Sequence, residues 1–198
     1  MLKKMVFFLS VLILSLSAEE VIELNINNED VEVRLAHELN MGATEDSRYY
    51  IGAFFMNSND KNKGYNNSDD DKLYGVDFTL KNRVANTIGL EGELGFKVVA
   101  HDNGENNLLA APLGAGISLR MEFENFPPTT IGAKYYYAPE VLTLIDGSSY
   151  NELRFEWKVE LVKNGEIAVG YRAIGTDYIG YNLPYNTSMY AGIILHIN

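Results

Sequence analysis

The sequence predicts an all-β fold, a single antiparallel up-and-down transmembrane β-barrel of about ten strands, with eight or twelve strands as alternatives. Three observations predict this fold. Apolar and polar residues alternate with a period of two along most of the chain. The apolar faces run over about 9–11 residues, the length with which a tilted strand crosses lipid. Long and short connections also alternate between the predicted strands.

Ten segments carry the alternation, and each is predicted to be a strand. The predicted strands are residues 21–27, 31–39, 48–56, 73–81, 87–99, 109–124, 130–138, 151–162, 166–174 and 188–197. The clearest is the eighth, where Phe155 and Trp157 alternate with Arg154, Glu156 and Lys158. A helix does not sustain this alternation, so no helix is predicted after residue 18.

The other strands have individual signals in chain order. In the first four, charged residues such as Glu23, Arg34 and Asp77 alternate with apolar ones. In the fifth and sixth predicted strands, apolar residues on one face alternate with glycines and charged residues on the other. The sixth is predicted to be one uninterrupted strand. The seventh ends at Pro139, which cannot donate a ladder hydrogen bond. The ninth follows an Asn164-Gly165 pair, which favours a tight primed hairpin turn, and the tenth closes the barrel.

Residues 1–18 have the pattern of a secretory signal peptide, and the barrel domain is predicted at 19–198. Two lysines open the segment, an apolar run follows, and cleavage is expected after Ser17 or Ala18. A single N-terminal membrane anchor is the alternative, but the apolar run is well under about 18 residues.

Composition restricts how the exported chain is stabilised and what it binds. Without cysteine it has neither disulfides nor a thiolate metal site. Of its 16 basic residues, two lie in the signal segment, which leaves 14 against 27 acidic residues and a net charge of −13. So acidic a chain disfavours nucleic acid as a partner.

The connections suggest a location in the outer membrane of a Gram-negative bacterium. Export by a signal peptide leaves the N-terminus in the periplasm, so the odd-numbered connections face outside. The outer connections are 28–30, 57–72, 100–108, 139–150 and 175–187, and the periplasmic ones are 40–47, 82–86, 125–129 and 163–165. Outer connections are mostly the longer ones, as in outer-membrane barrels, although the first is short.

The last strand has the form of an outer-membrane assembly signal. Tyr190, Gly192, Leu195 and Ile197 match its order of residue types, and Ile197 stands where an aromatic residue is usual. The barrel assembly machinery and outer-membrane lipid are therefore the expected partners, with a monomer favoured. An ordinary final strand of a soluble sheet is the alternative.

Three further segments resemble a known family. They are Gly132-Ala-Lys-Tyr-Tyr-Tyr-Ala-Pro-Glu140, Ser149-Tyr-Asn-Glu152 and Val169-Gly-Tyr-Arg172. This pattern is similar to the YfaZ family of small outer-membrane proteins, and the resemblance is specific over residues 132–172. It implies a small barrel in the outer membrane, and it implies no substrate.

Aromatic residues on the outward register are expected to form an interfacial girdle. The predicted girdle residues are Tyr135, Tyr137, Trp157 and Tyr171. In a girdle, the ring lies in the membrane interface and the hydroxyl group stays in water. Tyr136, between two of them, is expected to point into the lumen.

The inward register is rich in charge of both signs. The predicted inward set is Glu23, Glu32, Arg34, Glu38, Asp77, Lys81, Glu91, Glu93, Lys97, Arg120, Glu122, Glu124, Lys134, Glu152, Arg154, Glu156, Lys158, Glu160 and Arg172. Unpaired charges in a narrow interior are costly, so these side chains should pair across strands. A lumen charge network is predicted at Glu91, Glu93, Lys97, Arg120, Glu122, Arg154, Glu156, Lys158 and Arg172.

Such side chains should plug the lumen or leave a narrow channel, so the expected role is that of a structural component or a narrow pore of the outer membrane. Inner-face glycines would give them room, namely Gly89, Gly95, Gly114, Gly116, Gly132 and Gly170. Because acids slightly outnumber bases in the inward set, any conduction should prefer cations.

Other function classes are weaker, and no cofactor or metal is predicted. An enzyme is not expected, because no serine lies beside His37, His101 or His196 by spacing. A calcium loop at residues 57–72, with Asp60, Asp69, Asp70 and Asp71, lacks the ligand spacing of an EF-hand and reads rather as a solvated loop. Two alternatives stay open: a soluble periplasmic barrel that binds a small ligand, and an adhesive surface in the outer loops. The candidate loop for that surface is rich in aromatic residues and spans Asp177, Tyr178, Tyr181, Pro184 and Tyr185. Folding of this loop over the rim is the equal alternative.

Overall fold

A computed structural model describes most of the predicted barrel domain. The described residues are 19–41, 46–58, 71–85, 87–102, 106–178 and 181–197, with the backbone alone at 181–184. The predicted signal peptide, and Asp60, Asp69 and Asp70 of the 57–72 connection, lie outside the described residues. Within the described ranges, no helix has the length and apolar character needed to cross a membrane.

The described chain forms twelve β-strands and one short 3-10 turn. The strands are β1 (Glu20–Ile26), β2 (Asp30–Leu39), β3 (Ser47–Ser58), β4 (Asp71–Arg83), β5 (Leu90–Asp102), β6 (Asn107–Ala110), β7 (Leu113–Phe123), β8 (Phe126–Ala138), β9 (Thr143–Ile145), β10 (Gly147–Val162), β11 (Gly165–Tyr178) and β12 (Tyr181–Ile197). The 3-10 turn covers Glu140–Leu142.

Ten of these strands close into one antiparallel barrel, which confirms the predicted fold class. The order around the ring is β1, β2, β3, β4, β5, β7, β8, β10, β11 and β12, and β12 pairs with β1 to close it. Glu20 lies opposite Ile197 at one end of the ring, here called the near rim. The other end, here called the far rim, carries the ends of β3, β5 and β11.

Strands β6 and β9 stand outside the ring, and this corrects the sixth predicted strand. Residues 109–124 form two strands, separated at Ala111 and Pro112. β6 pairs with the far end of β5, β9 pairs with β6, and the 3-10 turn precedes β9. We call residues 107–110 and 140–145 the flap. The alternation runs on across Pro112, so periodicity alone could not show that the pairing partner changes there.

Two predicted connections are largely strand. The 139–150 connection contains β9 and the start of β10, and 175–187 continues β11 and β12 as a long hairpin. A register shift between Ile174 and Gly175 marks where this hairpin leaves regular pairing. At the near rim, β5 starts only at Leu90, because Gly89 has a φ of +76° and belongs to the turn. Gly89 is therefore not an inner-face position.

The outward face of the ring carries an apolar belt. Exposed belt residues include Leu24, Val33, Ile51, Phe55, Tyr74, Phe78, Leu94, Phe96, Ile117, Ile131, Tyr135, Tyr137, Phe155, Trp157, Val169, Ile193 and Leu195. Tyr135 and Tyr137 lie towards the far rim, whereas Trp157, opposite Ile131, lies nearer the near rim. Tyr171 lies between these levels, opposite Phe155. Charged residues on outward strand positions of the described chain, such as Glu20 and Lys72, are confined to strand ends.

Candidate functional site

The inward residues of the ring form three layers from the far rim to the near rim. Along β10 they run from Tyr150 through Glu152 and Arg154 to Glu156 and Lys158. The same order of apolar, buried polar and cavity-lining residues recurs on neighbouring strands. We call the three layers the apolar plug, the polar middle layer and the near cavity.

The apolar plug fills the far part of the lumen. Its buried residues are Phe54, Met56, Leu73, Val99, Leu108, Ala110, Ala138, Tyr150, Ile174, Tyr178 and Tyr185. The flap supplies Leu108 and Ala110, with Leu142 packed against them, and the β11–β12 hairpin supplies Tyr178 and Tyr185. Two residues that were candidates for an adhesive surface, Tyr178 and Tyr185, are therefore interior, and the side chains of Tyr181 and Pro184 lie outside the described set.

The polar middle layer is a continuous chain of buried ion pairs. Lys97 Nζ lies 2.7 Å from Glu152 Oε2, and Arg154 joins Glu152 at 2.6 Å to Glu32 at 2.5 Å. Arg172 continues from Glu32 at 2.6 Å to Asp30 at 3.1 Å. Three cations thus face three carboxylates. A buried charge without a partner would cost several kcal/mol, so this balance is what keeps six ionised groups in the interior.

Neutral groups complete the layer. The Tyr150 hydroxyl donates to Glu152 at 2.8 Å, and Asn186 Nδ2 donates to Asp30 at 2.6 Å. Arg172 Nε donates to Asn186 Oδ1 at 2.9 Å. The Lys97 ammonium also lies 4.1 Å from the centroid of the Tyr136 ring, within the range of a cation–π interaction.

The near cavity occupies the part of the lumen next to the near rim. Its volume is about 480 Å³, and it is open at that rim. Its lining contains eight Lys and Arg residues and seven Glu residues, with His196 in addition. The excess of acid expected for the inward set is therefore absent from this lining. Within it, Arg48 contacts Glu91 at 2.5 Å and Lys158 contacts Glu156 at 3.2 Å.

The structure places most of the predicted charge network inside the ring. Lys97, Arg154 and Arg172 lie in the middle layer, while Glu91, Glu93, Glu156 and Lys158 line the near cavity. Arg120 lies at the mouth of the cavity, where its exposed side chain contacts Glu160 at 2.8 Å.

Two predicted inward residues do not reach the interior. Glu122 is 70% exposed and touches Arg120 at 3.1 Å, and Glu124 is exposed in the β7–β8 turn. The reason is the register shift between Met121 and Phe123, since a bulge ends the regular alternation at that point.

Several interior residues were missed by sequence reasoning. Asp30 was assigned to a connection, and Asn186 to a long outer loop, yet both contact Arg172. The inward apolar positions Phe54 and Met56 follow from the alternation along β3, so this part of the plug could be predicted from the sequence. The flap contribution was not, because it comes from strands outside the ring.

The inner-face glycines Gly95 and Gly170 make room for tyrosine rings, whereas the sequence led us to expect charged side chains there. A Cβ atom at Gly95 would lie 2.2 Å from the Tyr136 hydroxyl, and one at Gly170 would lie 2.3 Å from Cζ of Tyr190. Both tyrosines donate to cavity carboxylates, Tyr136 to Glu93 at 3.1 Å and Tyr190 to Glu156 at 2.8 Å.

The three histidines occupy different surroundings. His37 is outward, 4.0 Å from Glu20. His101 belongs to β5 and not to a loop, and it lies buried between the Tyr178 hydroxyl and Asp71, each at 2.5 Å. This contact ties β4 and β5 to the β11–β12 hairpin.

His196 lies at the near rim, between Glu166 at 3.0 Å and Glu19. Glu19 precedes β1, so the contact links the first and last strands of the ring at the near rim. The hydrogen bond from His196 lowers the pKa of Glu19, which lies outside the strands.

The residues of the expected assembly signal divide between the two faces of β12. Tyr190 and Gly192 face inward, and a Cβ atom at Gly192 would lie 2.1 Å from Asn25 Oδ1. Leu195 and Ile197 face outward and are exposed in the apolar belt.

Comparisons with known proteins agree with the segments singled out in the sequence. The family model described as "YfaZ precursor" matches residues 2–183. Among solved structures, a KdgM porin is similar with a TM-score of 0.43 and 6% sequence identity, over 91% of this chain and 99% of that chain. A comparison with curated proteins found no match. Since the family model spans nearly the whole sequence, the chain belongs to the YfaZ family.

Proposed function

We propose that the protein is an integral outer-membrane barrel whose near rim faces the periplasm and whose lumen is closed in its resting state. The observation that carries this proposal is the distribution of polarity. The interior holds buried ion pairs, and the exterior presents an apolar belt. This is the reverse of a soluble barrel, and it is the arrangement that a lipid environment stabilises.

The soluble periplasmic alternative is disfavoured by the same belt. Trp157 is 52% exposed, Phe55 44% and Leu94 62%, each on a different strand. Soluble monomers rarely leave a contiguous apolar surface of this extent in water. The orientation is supported by the three longest connections between consecutive ring strands, residues 59–70, 103–112 and 139–146, which start and end at the far rim, although those at 27–29 and 179–180 are short.

Closure is supported by the plug. Met56 and Val99 are fully buried, and Leu73, Leu108 and Tyr185 are 1% exposed, so they fill the far half of the lumen. A narrow pore is the second candidate function, favoured by the polar lining between the near rim and the middle layer. It would require the plug to move. Cation preference would then have to come from groups other than the lining, where bases and acids are nearly equal.

Recording from planar bilayers tests both candidates. Protein refolded in detergent and added to bilayers should insert and give no steady current. Steady unitary current steps would contradict the closed barrel and support the narrow pore. Their reversal potential in a salt gradient would then measure the cation preference. Protein that stays in solution without detergent and does not insert would contradict the membrane assignment itself.

The remaining parts of the proposal concern partners. Outer-membrane lipid contacts the belt, the barrel assembly machinery inserts the chain, and the working unit is a monomer without catalytic activity. Adhesion through the outer connections stands as a third function, now without Tyr178 and Tyr185.

A further inference from the structure

The acidic residues and the lysines of the near cavity differ in how fully their hydrogen-bonding groups are already used. Three of the cavity's seven glutamates are already engaged by neutral donors from the wall, and the other four contact Arg48, Arg120 or His196. Glu93 accepts from Tyr136 at 3.1 Å, and Glu156 accepts from Tyr190 at 2.8 Å. Glu23 accepts from Asn25 Nδ2 at 2.7 Å. The acids of the cavity therefore have part of their hydrogen-bonding capacity satisfied before any ligand arrives.

The lysines of the cavity are much less engaged. Lys158 and Lys134 share one oxygen, Glu156 Oε2, at 3.2 and 3.7 Å. Among the described residues, no carboxylate lies within 4.0 Å of Lys81, whose ammonium group is 5.4 Å from the centroid of the Tyr50 ring. An ammonium group has three donors, so most of the donor capacity of these three lysines remains open.

Small residues leave space in front of the lysines. Gly116, Ser118 and Gly132 occupy adjoining inward positions on β7 and β8. A row of register partners runs around the wall from Lys81 through Glu93 and Gly116 to Lys134. Open cationic donors thus border a space that a small molecule can enter from the near rim.

We infer that the near cavity binds a small oxyanion of the phosphate class, held by Lys81, Lys134 and Lys158. Lysine binds phosphate as a point charge with several donors, which is the chemistry these residues present. The phosphate could belong to a soluble molecule or to a lipid headgroup. Since the wall is a closed ring, a headgroup would have to cross the rim, so a soluble anion has the more direct route. The inference goes beyond the proposed function and does not depend on whether the plug opens.

Calorimetric titration with inorganic pyrophosphate tests the inference on protein refolded in an uncharged detergent. The key variant is Lys81→Gln, because in the described part of the chain Lys81 has no carboxylate within 4.0 Å that would lose its partner. It should fold normally and bind pyrophosphate about tenfold more weakly, the loss expected for one charge-assisted contact. Lys72→Gln is the matched control, since it removes the same charge at the far end of β4, outside the cavity.

The outcomes separate clearly. Binding by the wild type that falls in Lys81→Gln but not in Lys72→Gln supports the site. Added anionic phospholipid that competes with pyrophosphate would identify a headgroup as the ligand, and no competition would identify a soluble anion. The inference is overturned if the wild type shows no binding of pyrophosphate, or if the two variants behave alike.

Discussion

At the scale of single residues, Arg172 shows why charge is retained inside this barrel. Its side chain is fully buried and contacts Glu32, Asp30 and Asn186. A guanidinium group offers five donors in a fixed plane, and here these donors bridge strands β2, β11 and β12. Removing it would leave Asp30 without its cation in the interior, and Glu32 with Arg154 alone.

Replacing Arg172 with Met should therefore lower the free energy of unfolding by about 3–5 kcal/mol, the cost of breaking a buried ion pair. Urea unfolding of protein folded in lipid vesicles, followed by the fluorescence of the single tryptophan, measures this change.

Arg120→Met is the matched control, because the Arg120 side chain is 43% exposed at the rim. Its loss should cost under about 1 kcal/mol, as for other exposed pairs. Equal losses in the two variants would show that the middle layer contributes no more than the rim.

At the scale of elements, the flap closes the far rim without belonging to the ring. Leu108 is 1% exposed in the plug, and it packs so closely on β10 that a Cβ atom at Gly147 would lie 2.7 Å from Leu108 Cδ1. Among the described ring strands, only β5 pairs with the flap through backbone hydrogen bonds, and β10 contacts it by side-chain packing. Disturbing its packing should therefore open the plug and leave the ring intact.

Leu108→Asp places a carboxylate in the apolar plug, opposite His101, whose two ring nitrogens are already engaged by Tyr178 and Asp71. We expect the variant to keep the heat-dependent electrophoretic mobility of a folded barrel and to produce current in planar bilayers where the wild type is silent.

Leu144→Asp is the control for this experiment, because Leu144 is in the same flap but 58% exposed. It should stay as silent as the wild type. If Leu108→Asp folds and also stays silent, the flap does not close the lumen.

At the scale of the whole molecule, the apolar belt determines which solvent the barrel requires. Trp157 lies on this belt, with Ile131 and Val169 as its register partners. Because Trp157 is the central outward residue between Leu153 and Leu161 on β10, a Lys at this position should destabilise the membrane-inserted barrel by about 2–4 kcal/mol, the cost at the bilayer midplane. Folding yield into vesicles, read from the electrophoretic mobility shift, measures the effect.

Glu160→Gln serves as the comparison, since Glu160 is on the same strand but faces the cavity mouth beside Arg120. Its folding yield should remain close to that of the wild type. Equal yields for Trp157→Lys and Glu160→Gln would argue against lipid around the belt.

Whether a feature can be predicted from the sequence or only from the tertiary structure depends on the range of the interactions that produce it. Strand positions and faces are local properties, so the alternation of Phe155 and Trp157 with Arg154 and Glu156 determined them, together with the barrel class. Ion-pair partners are not local. Glu152 meets Lys97 across 55 residues, and Arg172 meets Glu32 across 140, because ring closure and strand stagger decide which inward positions share a level.

The state of the lumen was likewise decided only by the tertiary structure. The sequence by itself determined a barrel with a charged interior and an apolar exterior. It did not determine that the far half is apolar, because Leu108, Tyr178 and Tyr185 reach the plug from a flap and a hairpin extension, and periodicity assigns these three residues to connections. Nor did it determine the near cavity, in whose wall Ser118 and Gly132 meet only when β7 and β8 pair.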